Sequence, residues 1–212
     1  WNGGTLFPLS SKKVARGINA MSGKLPLVIL ANLSGFDGSP ESLRKLQLEY
    51  GAEIGRAIVN FKGPIVFVVT ARYHGGAYVV FSKRLNPRFH SVALEGAYAS
   101  VIGGAPAAAV VFPAQVAKAA AADPRVEEAR KRLAADPSFT QKEFDELYRR
   151  VHREKETELA KRFDETHSVG RAKSVGSIDE IIPPSELRPY VIRRIELGIA
   201  RYLSELETHA AV

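Results

Sequence analysis

The stretch Arg72-Tyr73-His74-Gly75-Gly76-Ala77-Tyr78 follows PIVFVVT (64–70), one of the most apolar runs in the chain. A strand that ends in a glycine pair presents bare backbone N–H groups at the place where ligands of α/β proteins sit. Gly75 and Gly76 remove side chains where a substrate would approach the backbone. A helix beginning near Ala77 would leave its first N–H groups unpaired and partly positive. Such donors stabilise a developing oxyanion, and removing one costs on the order of 3 kcal/mol in barrier height. The plainer alternative is a tight turn whose glycines serve backbone geometry alone.

A second glycine stretch, Val101-Ile102-Gly103-Gly104-Ala105-Pro106-Ala107, opens an alanine-rich run. It is no P-loop, because no G-K-[ST] follows. His74-Gly75-Gly76 matches the oxyanion loop of lipases and esterases, but the G-x-S-x-G nucleophile elbow of that fold is absent. His74, His90, His152, His167 and His209 lack metal-ligand spacing, so a Ser hydrolase and a metal hydrolase are both discounted. His74 reads equally well as a loop hydrogen-bonder and as a catalyst.

The elements around these stretches alternate. Residues 11–22 have the pattern of an amphipathic helix, and LPLVILA (25–31) that of a strand buried on both faces. NLSGFDGSP (32–40) is a loop by composition. Ser39 and Pro40 then cap a helix carrying Leu43, Leu46, Tyr50, Ile54, Ala57 and Ile58 at helical spacing. With PIVFVVT this makes a βαβ unit. A helix or short strand near 77–83, SVALE (91–95), YASVIGG (98–104) and AAAVVF (107–112) complete a first segment, 1–113. Residues 114–168 form a charged helical segment. Asp123-Pro124 starts one helix there, and a Thr140/Glu143 capping box starts a long one through about Lys161. Phe144, Leu147, Tyr148 and Val151 mark its inner face. Residues 169–212 close the chain with an apolar turn, SIDEII, and a helix capped near Ser185 that turns Leu187, Val191, Ile195, Ile199 and Tyr202 inward.

The chain has no cysteine, which excludes a disulfide scaffold, a thiolate zinc site and a Cys nucleophile, and suits a reducing compartment such as the cytoplasm. No apolar run of membrane-spanning length appears. The chain opens on Trp1 without a secretory leader pattern and reads as part of something longer. The net charge of +7 lies entirely in residues 1–113, which hold 12 Lys/Arg against 5 Asp/Glu. A solvated basic face or an anionic partner would each account for it. Two glycine-rich strand ends in this basic half favour a shared anion or oxyanion site. Lys/Arg runs interleaved with aromatics are missing, which argues against nucleic acid.

Taken in order, three stretches resemble the C-terminal half of the carboxyltransferase domain of biotin-dependent acyl-CoA carboxylases. They are LPLVILANLSGFDGSPES, KGPIVFVVTARYHGGAYVVFSKRLN and YASVIGGAPAAAVVF. The closing SVGSIDEIIPPSELRPYVIRRI is similar to the family's G-x-I-D-x-I-I-x-P-x-x-x-R ending. The resemblance runs over nearly the whole chain and is closest to the fused, multidomain forms.

The resemblance implies an α/β, crotonase-like superhelix of β-β-α turns with a C-terminal helical extension. It implies transfer of a carboxyl group from carboxybiotin to the α-carbon of an acyl-CoA. This chain would supply the biotin-side half of the site, and the missing N-terminal half of the domain would bind the acyl-CoA. Backbone N–H groups of Gly76 and Ala77 would hold the biotin ureido oxygen, with Gly75, Tyr78, Gly103 and Gly104 also on the cofactor side. Partner biotin carboxylase and biotin carrier domains would use ATP and bicarbonate, and the assembly would be a homo-oligomer. His74, Val79 and Pro106 depart from the family pattern. Val79, where others often carry Asp, suggests a different or longer acyl chain. A biotin-dependent decarboxylase and a non-catalytic scaffold of the same fold remain open alternatives.

Overall fold

The organising element is strand β4 (Ile65–His74), which pairs with different neighbours along its two halves. In the computed structural model, which describes residues 3–210 apart from the side chains of His209 and Ala210, its first half lies between β2 (Leu27–Leu33) and β5 (Phe89–Leu94). Its second half, Arg72–His74, pairs with β6 (Tyr98–Ser100). The change of partner falls at Thr70–Ala71, where the register against β2 also slips. Thr70 Oγ1 donates to Ala31 O at 2.9 Å and stitches the gap. Strand β7 (Glu180–Ile182) adds to the far side of β5. All pairings in this sheet are parallel. A separate parallel pair joins β1 (Thr5–Leu6) to β3 (Gly35–Phe36). Trp1 lies outside the described residues.

The chain divides into two compact units. One comprises residues up to Val101 together with His167 onward; the other is Ile102–Thr166. In the first unit, helix α1 (Pro8–Met21) packs on α3 (Gln47–Asn60), and Gln47 Nε2 donates to Ser11 Oγ at 3.0 Å in that contact. Helix α2 (Pro40–Arg44) precedes α3, and α4 (Gly75–Val80) follows β4. Ile65–Val69 of β4 are at most 1% exposed, because both faces of the strand are covered. One face meets Ile54, Ile58 and Phe61; on the other, Val66, Val68 and Val92 pack with Tyr190, Val191 and Ile195 of α10 (Leu187–Ala210).

The N-cap at Ser39 is present, its hydroxyl accepting from Ser42 N at 3.2 Å. The single helix expected from 40 onward is broken at Leu46, which adopts the left-handed conformation (φ 65°). Ser39 fixes where α2 starts and buried Gln47 fixes how α3 lies, so the chain turns between them. The loop expected at 32–40 contains β3. The strand expected at 25–31 starts at Leu27 and is buried on one face only. Val28 and Leu30 stand beside Val66 and Val68 in the register, yet they are 38% and 63% exposed. The helix that covers Val66 and Val68 does not extend over this edge strand.

The apolar turn SIDEII is strand β7, followed by a 3₁₀ turn at Pro184–Glu186. A polar chain ties β5, β7 and α10 together. Arg194 Nε donates to Tyr190 Oη (3.1 Å), and Tyr190 Oη lies 2.7 Å from His90 Nε2. His90 Nδ1 lies 3.4 Å from Asp179, which also pairs with Lys83 and accepts from Ser91 N. Glu180 pairs with Arg194. Burial, together with nearby Arg194, pushes the His90 pKa down despite Asp179 and Glu180. The folded state therefore favours neutral His90, and stability is lost as pH falls from above the unfolded value toward the folded one. A denaturation midpoint measured at pH 7.5 and again at pH 5.5 should drop, and His90→Gln should reduce the drop. An unchanged pH dependence in His90→Gln would exclude this origin.

The second unit begins at Ile102, and the boundary expected at 114 falls inside helix α6 (Pro113–Ala121). A helical turn α5 (Gly104–Pro106) widens into a π-helical stretch at Ala107–Val111. These and α7 (Pro124–Ala135) pack on α8 (Gln141–Thr166). Both expected caps are present. Asp123 accepts from Arg125 N (3.1 Å), and Thr140 N donates to Glu143 (2.7 Å) while Glu143 N donates to Thr140 Oγ1 (3.3 Å). Val126, Ala120 and Val151 form its core with Phe144, Leu147 and Tyr148. The first unit also contains α9 (Val169–Ser174).

Candidate active site

The glycine turn is fixed on every side by its own unit. His74, the last residue of β4, is buried, with Nδ1 3.1 Å from Ser100 Oγ and 3.3 Å from Ser100 O on β6. Of its two sequence readings, the geometry shows the hydrogen-bonder. Gly75 N donates to Val101 O at 2.9 Å. Gly75 has φ +62°, which favours glycine, and a Cβ there would lie 3.1 Å from Gly35 Cα. A Cβ on Gly76 would lie 2.3 Å from Cδ2 of Phe36. The missing side chains thus make room for Gly35 and Phe36 of the same chain.

Helix α4 begins at Gly75, earlier than the expected start near Ala77. Gly76 and Ala77 stand in its first turn, where N–H groups have no intrahelical acceptor, and the N-cap residue His74 gives no side-chain cap. Ala77 is wholly buried, whereas Gly76 keeps part of its surface. Of the two donors named from the sequence, only the Gly76 N–H belongs to a residue that keeps solvent-exposed surface. At the other end of α4, Tyr73 Oη sits 3.2 Å from Tyr78 O and 3.0 Å from Phe81 O. Burial pushes the Tyr73 pKa up, so its hydroxyl stays protonated as a donor. Tyr78 Oη donates to Ser177 Oγ at 2.7 Å, tying α4 to the segment before β7. Val79 is exposed on α4.

Gly103 and Gly104 lie in the other unit. Gly104 N donates to Asp164 Oδ1 on α8 at 2.7 Å, and a Cβ there would lie 2.2 Å from Ala160 O. This glycine lets two helical segments touch, and its N–H is already engaged. The sequence reading missed Phe36, Ser100, Ser177 and Asp164. G-F within NLSGFDGSP was the available signal for Phe36, because an aromatic in an otherwise polar loop needs somewhere to pack.

The carboxyl transferase domain family matches the chain over residues 1–208. The chain belongs to that family. An acetyl-CoA carboxylase of Cryptosporiopsis sp. (strain 8999) is 30% identical over 151 residues, which are 68% of this chain and 6% of that protein. The mitochondrial acetyl-CoA carboxylase of Saccharomyces cerevisiae (strain YJM789) is 36% identical over 85 residues, 38% of this chain and 4% of that protein. This carboxyl transferase domain chain thus spans a small part of the relatives' length. The solved transcarboxylase 12S, a hexamer with methylmalonyl-coenzyme A and methylmalonic acid bound, matches with a TM-score of 0.62 at 21% identity. The match covers 92% of this chain and 31% of that one. The β subunit of P. aeruginosa geranyl-CoA carboxylase matches with a TM-score of 0.61 at 21% identity, covering 91% and 36%. The α/β fold of this carboxyl transferase domain is accordingly crotonase-like, as the family resemblance implied. No helix among the described residues is long and apolar enough to cross a membrane.

Proposed function

We propose that the chain supplies the biotin-side half of an acyl-CoA carboxyltransferase site, the reading supported by its family membership over residues 1–208. The observation that carries the local assignment is the Gly75–Gly76 turn. It is held at the end of β4 by His74, Val101 and Gly35; Gly75 N donates to Val101 O, and no side chain caps the N–H groups that follow it. When bound, carboxybiotin would supply the carboxyl group as CO2 and, once CO2 has left, a ureido nitrogen able to take the α-proton before the new carbon–carbon bond forms. Gly76 N–H is the donor placed to hold the ureido oxygen, and Gly75, Ala77 and Tyr78 fix its position. A preorganised donor of this kind adds most where charge develops. Gly103 and Gly104 act on the cofactor side only if Asp164 releases the Gly104 N–H. Val79, exposed on α4, is assigned to acyl-chain discrimination.

In this reading an N-terminal half of the domain binds the acyl-CoA. Biotin carrier and biotin carboxylase domains deliver the carboxyl group at the expense of ATP and bicarbonate. The assembly is a cytoplasmic homo-oligomer, and exposed apolar residues such as Val28 and Leu30 are surface for another chain to cover.

The test is the reverse reaction in the longer protein that includes the preceding half. Malonyl-CoA or methylmalonyl-CoA is incubated with and without free biotin, and loss of CO2 is followed. Biotin-dependent loss is expected, and repeating the assay with Val79→Asp across acyl-chain lengths should shift the preference toward short chains. A folded protein with no biotin dependence on any carboxyacyl-CoA would leave the non-catalytic scaffold as the reading.

A further inference from the structure

Phe36 lies at the meeting point of two glycines distant in sequence. A Cβ on Gly51 of α3 would lie 2.4 Å from Cε2 and 2.8 Å from Cζ of its ring. A Cβ on Gly76 of α4 would lie 2.3 Å from Cδ2 and 2.5 Å from Cε2. The same ring edge is therefore gripped between the two helices. Neither glycine has a positive φ, so backbone freedom does not explain either one. Gly51 sits inside a helix, where alanine would be favoured by about 1 kcal/mol, and the ring is what occupies its missing side chain.

The residue before Phe36 makes a second contact with the turn. Gly35 and Gly75 meet backbone to backbone: a Cβ on Gly75 would lie 3.1 Å from Gly35 Cα, and both residues have a positive φ, +124° and +62°. The Gly35–Phe36 strand cannot easily withdraw, because β1 holds it from the other side. Leu6 is opposite Phe36, Asp37 N donates to Leu6 O at 2.9 Å, and Ser34 N donates to Gly4 O at 3.1 Å.

We propose that Phe36 is a positioning residue for the Gly75–Gly76 turn, and that Gly51 controls the turn from α3 through the Phe36 ring. The inference deepens the proposed function and rests on it where turnover is the readout. Extra volume at Gly51 pushes the ring against Gly76 and moves the donor, and displacement by about 1 Å in a reacting site can cost roughly 10²-fold in rate. A smaller side chain at 36 leaves α4 loosely seated. The two changes oppose each other, so the pair couples with opposite sign to its members.

The experiment compares Gly51→Ala, Phe36→Leu and the double variant in the longer protein. The first readout is amide hydrogen exchange in the peptide covering residues 75–80, which needs no turnover. Exchange there should rise roughly 10-fold in each single variant and return toward the parent in the double, where the alanine methyl refills space left by the ring. The second readout is biotin-dependent decarboxylation. In Gly51→Ala, kcat should fall on the order of 10²-fold with KM little changed, and Phe36→Leu should restore much of it.

If Gly51→Ala fails to fold, Phe36→Leu alone decides by exchange, since it adds no atoms. Unchanged exchange at 75–80 in Phe36→Leu would overturn the proposal. A Gly51→Ala defect that Phe36→Leu does not relieve would also overturn it, placing the strain within α3. A parent protein without biotin-dependent turnover would sink the functional reading and leave the exchange test of Phe36 intact.

Discussion

Gly76→Ala is expected to reduce biotin-dependent decarboxylation of malonyl-CoA or methylmalonyl-CoA on the order of 10²-fold, because it keeps the N–H but displaces it, and a shift of about 1 Å in a reacting site has an effect of that size. The added methyl would stand 2.3 Å from the Phe36 ring, far inside contact distance. Because the clash is with a ring already held by Gly51 and β1, the least costly relief is movement of the turn itself. Overpacking of this size costs about 1–3 kcal/mol of stability, which a domain can tolerate. Loss of rate should therefore exceed what unfolding explains. Steady-state rates and urea midpoints measured on the same preparation separate the two. Parent-like kcat in a folded Gly76→Ala would mean that Gly76 N–H is not a donor in the reaction.

The second large effect is on stability. Phe67 is fully buried on β4, with ring centroids of Tyr73, Phe81 and Phe89 at 4.9, 5.4 and 5.5 Å. Phe67→Ala should cost about 3–5 kcal/mol, because the cavity cannot collapse within a sheet covered on both faces. The damage should also reach the site. Tyr73 packs on Phe67, and its hydroxyl holds the carbonyls of Tyr78 and Phe81 at the end of α4. A urea midpoint lowered by less than about 1 kcal/mol in ΔG would contradict this account of the core.

Much of this was legible locally. Ser39-Pro40, Asp123-Pro124 and Thr140/Glu143 announced helix starts because capping depends on residues within three positions. PIVFVVT announced a central strand because both of its faces needed cover. The Gly75–Gly76 turn was visible for the same reason, and the whole ordered set of motifs carried the family.

What failed to show in the sequence depends on distant partners. LPLVILA looks as apolar as PIVFVVT, yet it lies at the sheet edge, a fact set by pairing order. Gly104 looked like a ligand loop, and nothing near it in the sequence announces the contact with Asp164, 60 residues away. Ala77 looked available, but nothing local says that it would be wholly buried. Phe36 was read as part of a loop because its two glycines lie 15 and 40 positions later in the chain.

The placement of β7 bears on how the molecule is made. Its partner β5 ends at Leu94, but β7 is not synthesised until residues 180–182, after the whole of Ile102–Thr166 has emerged. The entropic penalty for closing so long a loop grows only logarithmically, so the arrangement is affordable at equilibrium. Its cost is in time, because non-local parallel pairing is slow. The Ile102–Thr166 unit draws its contacts from one continuous stretch and can fold while the rest of the sheet waits for its final strand. On the ribosome, the segment in the middle of the chain should become protease-resistant before the segment that begins it.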